Sequence, residues 1–166
     1  MFDVEATSLH GPGFAVGAIV VNKTTGKLMD TFQLMSTRGS GEVNSWGWEN
    51  VVPVLMDMPK CEYRQELRQR FFEFYRRWAP VCDIWGDCIF PVETNFLSEI
   101  TEDDTIEREF LMPYPLYDLA NFIDVNLDRN DECGLKNLRK HHPLDDCIAS
   151  VVLLLAHKYN ITFVAQ

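Results

Sequence analysis

The chain has 166 residues, a formal net charge of −10, and 46% apolar and 12% aromatic content without low-complexity runs, a composition that suits one compact domain over 1–166 and excludes a disordered chain. No uncharged apolar run reaches the ~18 residues of a membrane span, and the opening lacks the basic-then-apolar pattern of a signal peptide. Five cysteines (Cys61, Cys82, Cys88, Cys133, Cys147) without a Cys-x-x-Cys pair fit reduced thiols in a cytoplasmic protein better than a disulfide framework or a zinc site.

In chain order, Met1 to Leu9 opens as a short strand carrying Asp3 and Glu5. Phe14–Val21 reads as a buried strand, Asn22–Lys27 as a turn and Leu28–Met35 as the returning strand, an antiparallel start of three strands. Ser36–Ser45 is rich in Gly and Ser and reads as a loop; Pro53 and Pro59 bracket a short helical piece. From Cys61 to Trp78 the residues Tyr63, Leu67, Phe71, Phe74 and Trp78 fall on one helical face, opposite arginines and glutamates that read as a solvated surface. Val81–Gly86 is the next strand, and Pro91 starts a helix through Leu97. Glu99–Glu109 reads as an acidic surface loop. Pro115–Leu119 reads as a short strand entering a helix that runs to about Val125, followed by a polar loop at 126–134. The closing helix spans Pro143 to Tyr159 with a buried stripe of Leu144, Ile148, Val151, Val152 and Leu155.

Two motifs carry chemistry. In Asp3-Val4-Glu5, period-two alternation points both carboxylates to one face of a strand. Like charges held so close call for a cation between them, which suggests a hard divalent metal. Near the other end, His141 precedes Asp146 by five positions at a helix start, adding a carboxylate and an imidazole able to take a proton from an attacking water. His142 is adjacent but out of register, so its substitution is expected to matter little. Asp145 reads as a capping or helix-face acid.

Asp3-x-Glu5 and His141-x4-Asp146, in this order and separation, resemble the DEDDh family of 3'–5' exonucleases. A Leu135-x-x-Leu138 segment precedes the second motif, as it often does in those enzymes. Asn44-Ser45-Trp46, Val51-Val52-Pro53-Val54-Leu55 and the arginine-rich helix are similar to the mycobacterial-type exoribonuclease branch. The family's middle motif, a strand leading to an Asp at a helix start, corresponds here to Trp85–Leu97. Aligning on Phe96-Leu97 puts Glu93 where the family has Asp; Asp87 at the strand end is the competing candidate. Without the resemblance, Glu93 reads as an acid in a first helical turn and Asp87 as a turn residue.

The resemblance implies an α/β, ribonuclease H-like fold: a mixed five-stranded sheet, three antiparallel strands then parallel ones, flanked by helices. It also implies hydrolysis with two Mg²⁺ or Mn²⁺ ions held by Asp3, Glu5, Glu93 (or Asp87) and Asp146, with His141 as general base and nucleoside 5'-monophosphates as products. Ala6, Thr7 and Leu9 would contact the terminal nucleotide, and Lys136, Arg139 and Lys140 could meet a phosphate. The acidic balance lacks a basic footprint, but an enzyme gripping few nucleotides needs few phosphate contacts. Partners are therefore expected to be short or single-stranded RNA or DNA, RNA favoured, with no membrane and with a homodimer allowed. Two other readings stand beside this one: an inactive exonuclease-fold module binding RNA or a protein partner, and a ribonuclease H-like endonuclease, which has no need of His-x4-Asp.

Overall fold

The computed structural model of the protein describes every residue except Val125 and Gln166. Its elements in chain order are β1 (Phe2–Ala6), β2 (Gly13–Val21), β3 (Leu28–Ser36), α1 (Thr37–Ser40), α2 (Ser45–Asn50), β4 (Lys60–Cys61), α3 (Arg64–Trp78), β5 (Ile84–Gly86), α4 (Val92–Asp103), α5 (Thr105–Arg108), β6 (Leu116–Asp118), α6 (Arg129–Glu132) and α7 (Pro143–Leu154). The architecture is α/β. β1, β2 and β3 form an antiparallel meander, and the short β4 joins β3 in parallel, giving a mixed four-stranded sheet in the order β1-β2-β3-β4. β5 and β6 form a separate parallel pair. Among the described residues no helix is long and apolar enough to cross a membrane.

Side-chain alternation sorts the core. Phe2, Val4, Val16 and Ala18 pack with Leu67, Phe71, Phe74 and Phe96 of α3 and α4 on one face. On the other face Ile19 meets Cys147, Val151 and Leu155. α7 is enclosed on most sides because Leu153 and Leu154 also pack with Trp85 of β5 and with Leu119 just after β6. Its burial is therefore broader than the expected stripe: Leu144, Ile148 and Val152 are only half-buried, while Cys147, Ala149 and Ser150 are buried.

The expected single five-stranded sheet is not formed. β5 does lie alongside β1, since a Cβ added at Gly86 would come within 3.6 Å of the Phe2 carbonyl oxygen. The Val4 N–H, however, which a neighbouring strand would use, is donated to Glu93 Oε1 at 3.3 Å. A side chain thus takes the place of a ladder bond.

Other departures have equally local causes. The expected acidic loop is helical through Asp103 and again in α5, because Arg68 binds Glu99 at 3.2 Å and Asp103 at 2.6 Å, anchoring those acids to α3. Ser36 caps a single turn, α1, inside the expected loop by accepting the Gly39 N–H. The 45–55 region is helical from Ser45 to Asn50 and then a 3₁₀ turn at Val52–Leu55. α3 begins at Arg64, leaving Cys61 in β4 and Tyr63 exposed. After β6, Asp118 caps a 3₁₀ turn at Leu119–Asn121 in place of a longer helix; Val125, its expected end, lies outside the described residues. The expected closing helix ends at Leu154, and Leu155–Tyr159 continues as a π-helical turn closed by Asn160 in the left-handed region.

Candidate metal centre

β1 pairs Asp3 with Gly17 and Glu5 with Ala15 of β2. These small cross-strand neighbours leave room for the start of α7 to descend onto the sheet. The fit at Gly17 is tight: a Cβ there would meet Leu144 N at 2.3 Å and the Pro143 carbonyl carbon at 2.4 Å. α7 therefore delivers Asp146 to the face that carries Asp3 and Glu5. Carboxylate oxygens of the three side chains lie within 4.8 Å of one another. Just beyond Glu5 the pairing with β2 slips by one residue, a bulge of the kind that re-aims side chains near active sites.

The electrostatics follow from this crowding. The side chains of Asp3 and Glu5 have no hydrogen-bond or ion-pair partner among the described residues, and both residues are half-buried. Burial, then Glu5, Glu93 and Asp146, push the Asp3 carboxyl well above its ordinary range. Glu5 is raised by burial and by Asp146 and Glu93. Asp146 is pushed up to about 7 by burial, despite hydrogen bonds from Asn130 Nδ2 (3.2 Å) and the His141 main chain that act against the shift. Three converging carboxylates with no ion-pair partner among the described residues fit a hard divalent ion with oxygen ligands, and such an ion would relieve the repulsion.

The middle carboxylate does not join this cluster. Glu93, in the first turn of α4, is 4% exposed and accepts the Val4 N–H as well as its own. Burial raises it to about 7, and it in turn raises Asp3 and Glu5. Asp87 is spoken for. Arg129 grips it through two bonds of 2.6 and 3.1 Å, and Ser150 Oγ lies 3.4 Å away. α4 starts where it does because Asp118 accepts the main-chain N–H groups of Cys88 and Ile89, holding the β5–α4 turn with Cys88 at φ 56°.

His141 sits immediately before α7 with φ 61°, a costly conformation for a residue with a side chain. Its ring is half-buried and makes a T-shaped contact with the Trp46 ring of α2, the centroids 5.2 Å apart. Trp46 itself is 56% exposed, so much of an aromatic side chain stands open beside the histidine.

His142 departs from expectation. It is 1% exposed, and its Nδ1 accepts the Asp145 N–H at 3.4 Å, so it caps α7. Burial lowers its pKa, which keeps the ring neutral and able to accept. Its place in the site is structural: it caps the helix that carries Asp146.

Among the expected substrate contacts, Thr7 is buried, with its carbonyl accepting the Asn44 N–H at 3.4 Å, Ala6 is half-buried, and Leu9 is 64% exposed. Lys136 is exposed and has no ion-pair partner among the described residues. Arg139 is tied to Asp57 and Asp145, each at 2.8 Å, and Lys140 to Asp128 and Asp131. These two cations brace the segment before α7, which leaves Lys136 as the uncommitted one of the three. Sequence reading missed Arg129, Asn130 and Asp118. The one available signal was Asp128 followed by Arg-Asn-Asp-Glu, a helix-start pattern.

No protein-family model matches the chain, and neither a curated protein nor a solved structure matches it.

Proposed function

We propose that this chain is a metal-dependent 3'–5' exonuclease of ribonuclease H-like architecture, acting on short or single-stranded nucleic acid, RNA favoured. The carrying observation is the convergence of Asp3, Glu5 and Asp146 within 4.8 Å, from two distant segments and with no ion-pair partner among the described residues. His141 stands at the start of the same helix, in contact with an exposed tryptophan. The antiparallel β1–β3 meander, with β5 alongside β1, supports the architectural part.

Asp3, Glu5 and Asp146 would hold Mg²⁺ or Mn²⁺, with Glu93 adding negative charge from the adjoining edge of β1. Two such ions, when bound, supply Lewis-acid stabilisation of the attacking and leaving oxygens of a phosphodiester. His141 takes the proton of the attacking water. Trp46 offers a face for an unpaired base, and Lys136 a charge for a phosphate. The main chain at Ala6 and Thr7 would line the path of the terminal nucleotide. Five free cysteines agree with a reducing, cytoplasmic setting.

The test is to incubate 5'-labelled single-stranded RNA and DNA with the protein and Mn²⁺. A ladder shortening one nucleotide at a time from the 3' end, abolished by chelator, is expected. Full activity in excess chelator overturns the metal reading, and internal cuts favour an endonuclease. Binding of oligonucleotide and Mn²⁺ without hydrolysis favours the inactive binding module.

A further inference from the structure

Asp146 is the member of the carboxylate cluster whose position is reinforced from outside it. Asn130 Nδ2 donates to its Oδ1 at 3.2 Å, while a carboxylate oxygen of Asp146 lies within 4.8 Å of Asp3 and Glu5. Asn130 lies in α6, a single turn whose start is built by Asp128, which accepts the Asn130 and Asp131 N–H groups. So short a turn cannot hold a side chain in place by itself.

Its neighbour Arg129 supplies the anchor. The guanidinium binds Asp87 through Nε and Nη2, and the Asp124 and Leu127 carbonyls through Nη1 at 2.6 and 3.2 Å. The Arg129 and Asp87 side chains are only 11% and 17% exposed, so the pair is fixed and poorly screened. Asp87 stands at the end of β5, so this bond ties α6 to the parallel pair of strands. Its planar, two-pronged geometry sets direction as well as distance.

We propose that Asn130 is a positioning residue for the metal centre, aimed at Asp146 by the Arg129–Asp87 pair. This rests on the metal-dependent reading above. It gives Asp87 a part in the site without making it a ligand: its effect passes through Arg129 and Asn130 to one oxygen of Asp146. Outer partners of a ligating carboxylate fix its orientation, and removing one typically weakens metal affinity or activity about 10–100-fold.

The experiment titrates Mn²⁺ into wild type, Asn130→Ala, Asn130→Gln and Arg129→Ala, reading free Mn²⁺ by its electron paramagnetic resonance signal. Nuclease rates across the same Mn²⁺ range and metal-free melting curves accompany it. Wild type should bind Mn²⁺. Asn130→Ala should bind about 10-fold more weakly or worse, with much of its rate restored at high Mn²⁺. Asn130→Gln, which keeps the amide but moves it by one methylene, should weaken binding less than Asn130→Ala, and Arg129→Ala should follow Asn130→Ala. The melting curves show whether each variant is folded at the temperature of the titration, and Asn130→Gln, the mildest change, carries the test if the other two are not. Wild-type Mn²⁺ affinity in folded Asn130→Ala or Asn130→Gln overturns the proposal while leaving the metal centre intact. Absence of Mn²⁺ binding by wild type overturns the metal reading and this proposal with it.

Discussion

At the scale of single residues, the two adjacent histidines divide into different duties, and substitution separates them. His141→Ala removes a group that makes no described contact with the clustered carboxylates. Nuclease rates should fall about 10²–10⁴-fold while Mn²⁺ binding persists. His142→Ala removes a buried helix cap and leaves a hole where a ring was packed. Stability should drop by about 2 kcal/mol, or roughly 4–8 °C in melting temperature. A stable His142→Ala protein would contradict the capping role. The middle acids part in the same way. Glu93→Gln keeps an oxygen for the Val4 N–H but loses its charge, so the rate should fall with little loss of stability. Asp87→Asn strands Arg129 in a poorly exposed setting and should cost about 3 kcal/mol, roughly 6–12 °C. Thermal melts beside initial rates with Mn²⁺ decide both.

At the scale of elements, the site depends on how closely the start of α7 approaches β2. Gly17 is the contact point, and its missing side chain is what allows the Pro143–Leu144 backbone to lie against the strand. Gly17→Ala forces main chain away from main chain, with no flexible side chain able to yield. The expected penalty is about 1–3 kcal/mol of stability. The larger effect should be functional, because Asp146 and His141 both move with the start of the helix while Asp3 and Glu5 stay on β1. Rates and Mn²⁺ affinity should therefore fall further than the loss of folded protein accounts for. An active variant with normal Mn²⁺ binding would show that α7 tolerates displacement. The same element logic explains α4: Arg68 on α3 gathers Glu99 and Asp103, so acids that look loop-like in sequence extend a helix.

At the scale of the whole molecule, the carboxylate cluster makes stability depend on pH and on metal together. Asp3, Glu5, Glu93 and Asp146 all have carboxyl groups raised above their ordinary range, Glu93 and Asp146 to about 7. The folded, metal-free protein thus binds protons more tightly than the unfolded chain, whose carboxyls titrate near 4. The stability these groups contribute is fully present below about pH 4 and is lost as pH rises through about 7. Asp57 and Asp128, held below their usual range by Arg139 and Lys140, act in the opposite sense only at more acid pH, while His142 and the Met1 amine, both lowered by burial, oppose the four carboxyls within this window and are outnumbered by them. In chelator, the melting temperature should fall between about pH 5 and about pH 8. Mn²⁺ should stabilise most at the upper end, by about 2.7 kcal/mol at a hundred times its Kd, roughly 5–11 °C. A metal-free melting temperature that rises steadily over that range would contradict the buried-charge account.

What was legible in the sequence was what local periodicity determines. Asp3 and Glu5 share a face because strand side chains alternate, and His141 and Asp146 both belong to the start of α7 because only five positions separate them. The β1–β3 meander, the apolar face of α3 and the start of α7 follow from the same short-range rules. Which distant groups would meet was a tertiary matter. Glu93 or a fifth strand could have taken the Val4 N–H, and either outcome suits the same residues. Whether Asp87 would face an ion or Arg129 depended on where α6 came to lie relative to the end of β5. His142 became a buried cap only because α7 packs against Gly17, and Asn130 reached Asp146 only because Arg129 found Asp87. Each of these is a competition between partners far apart in the chain, decided by packing that no local pattern encodes.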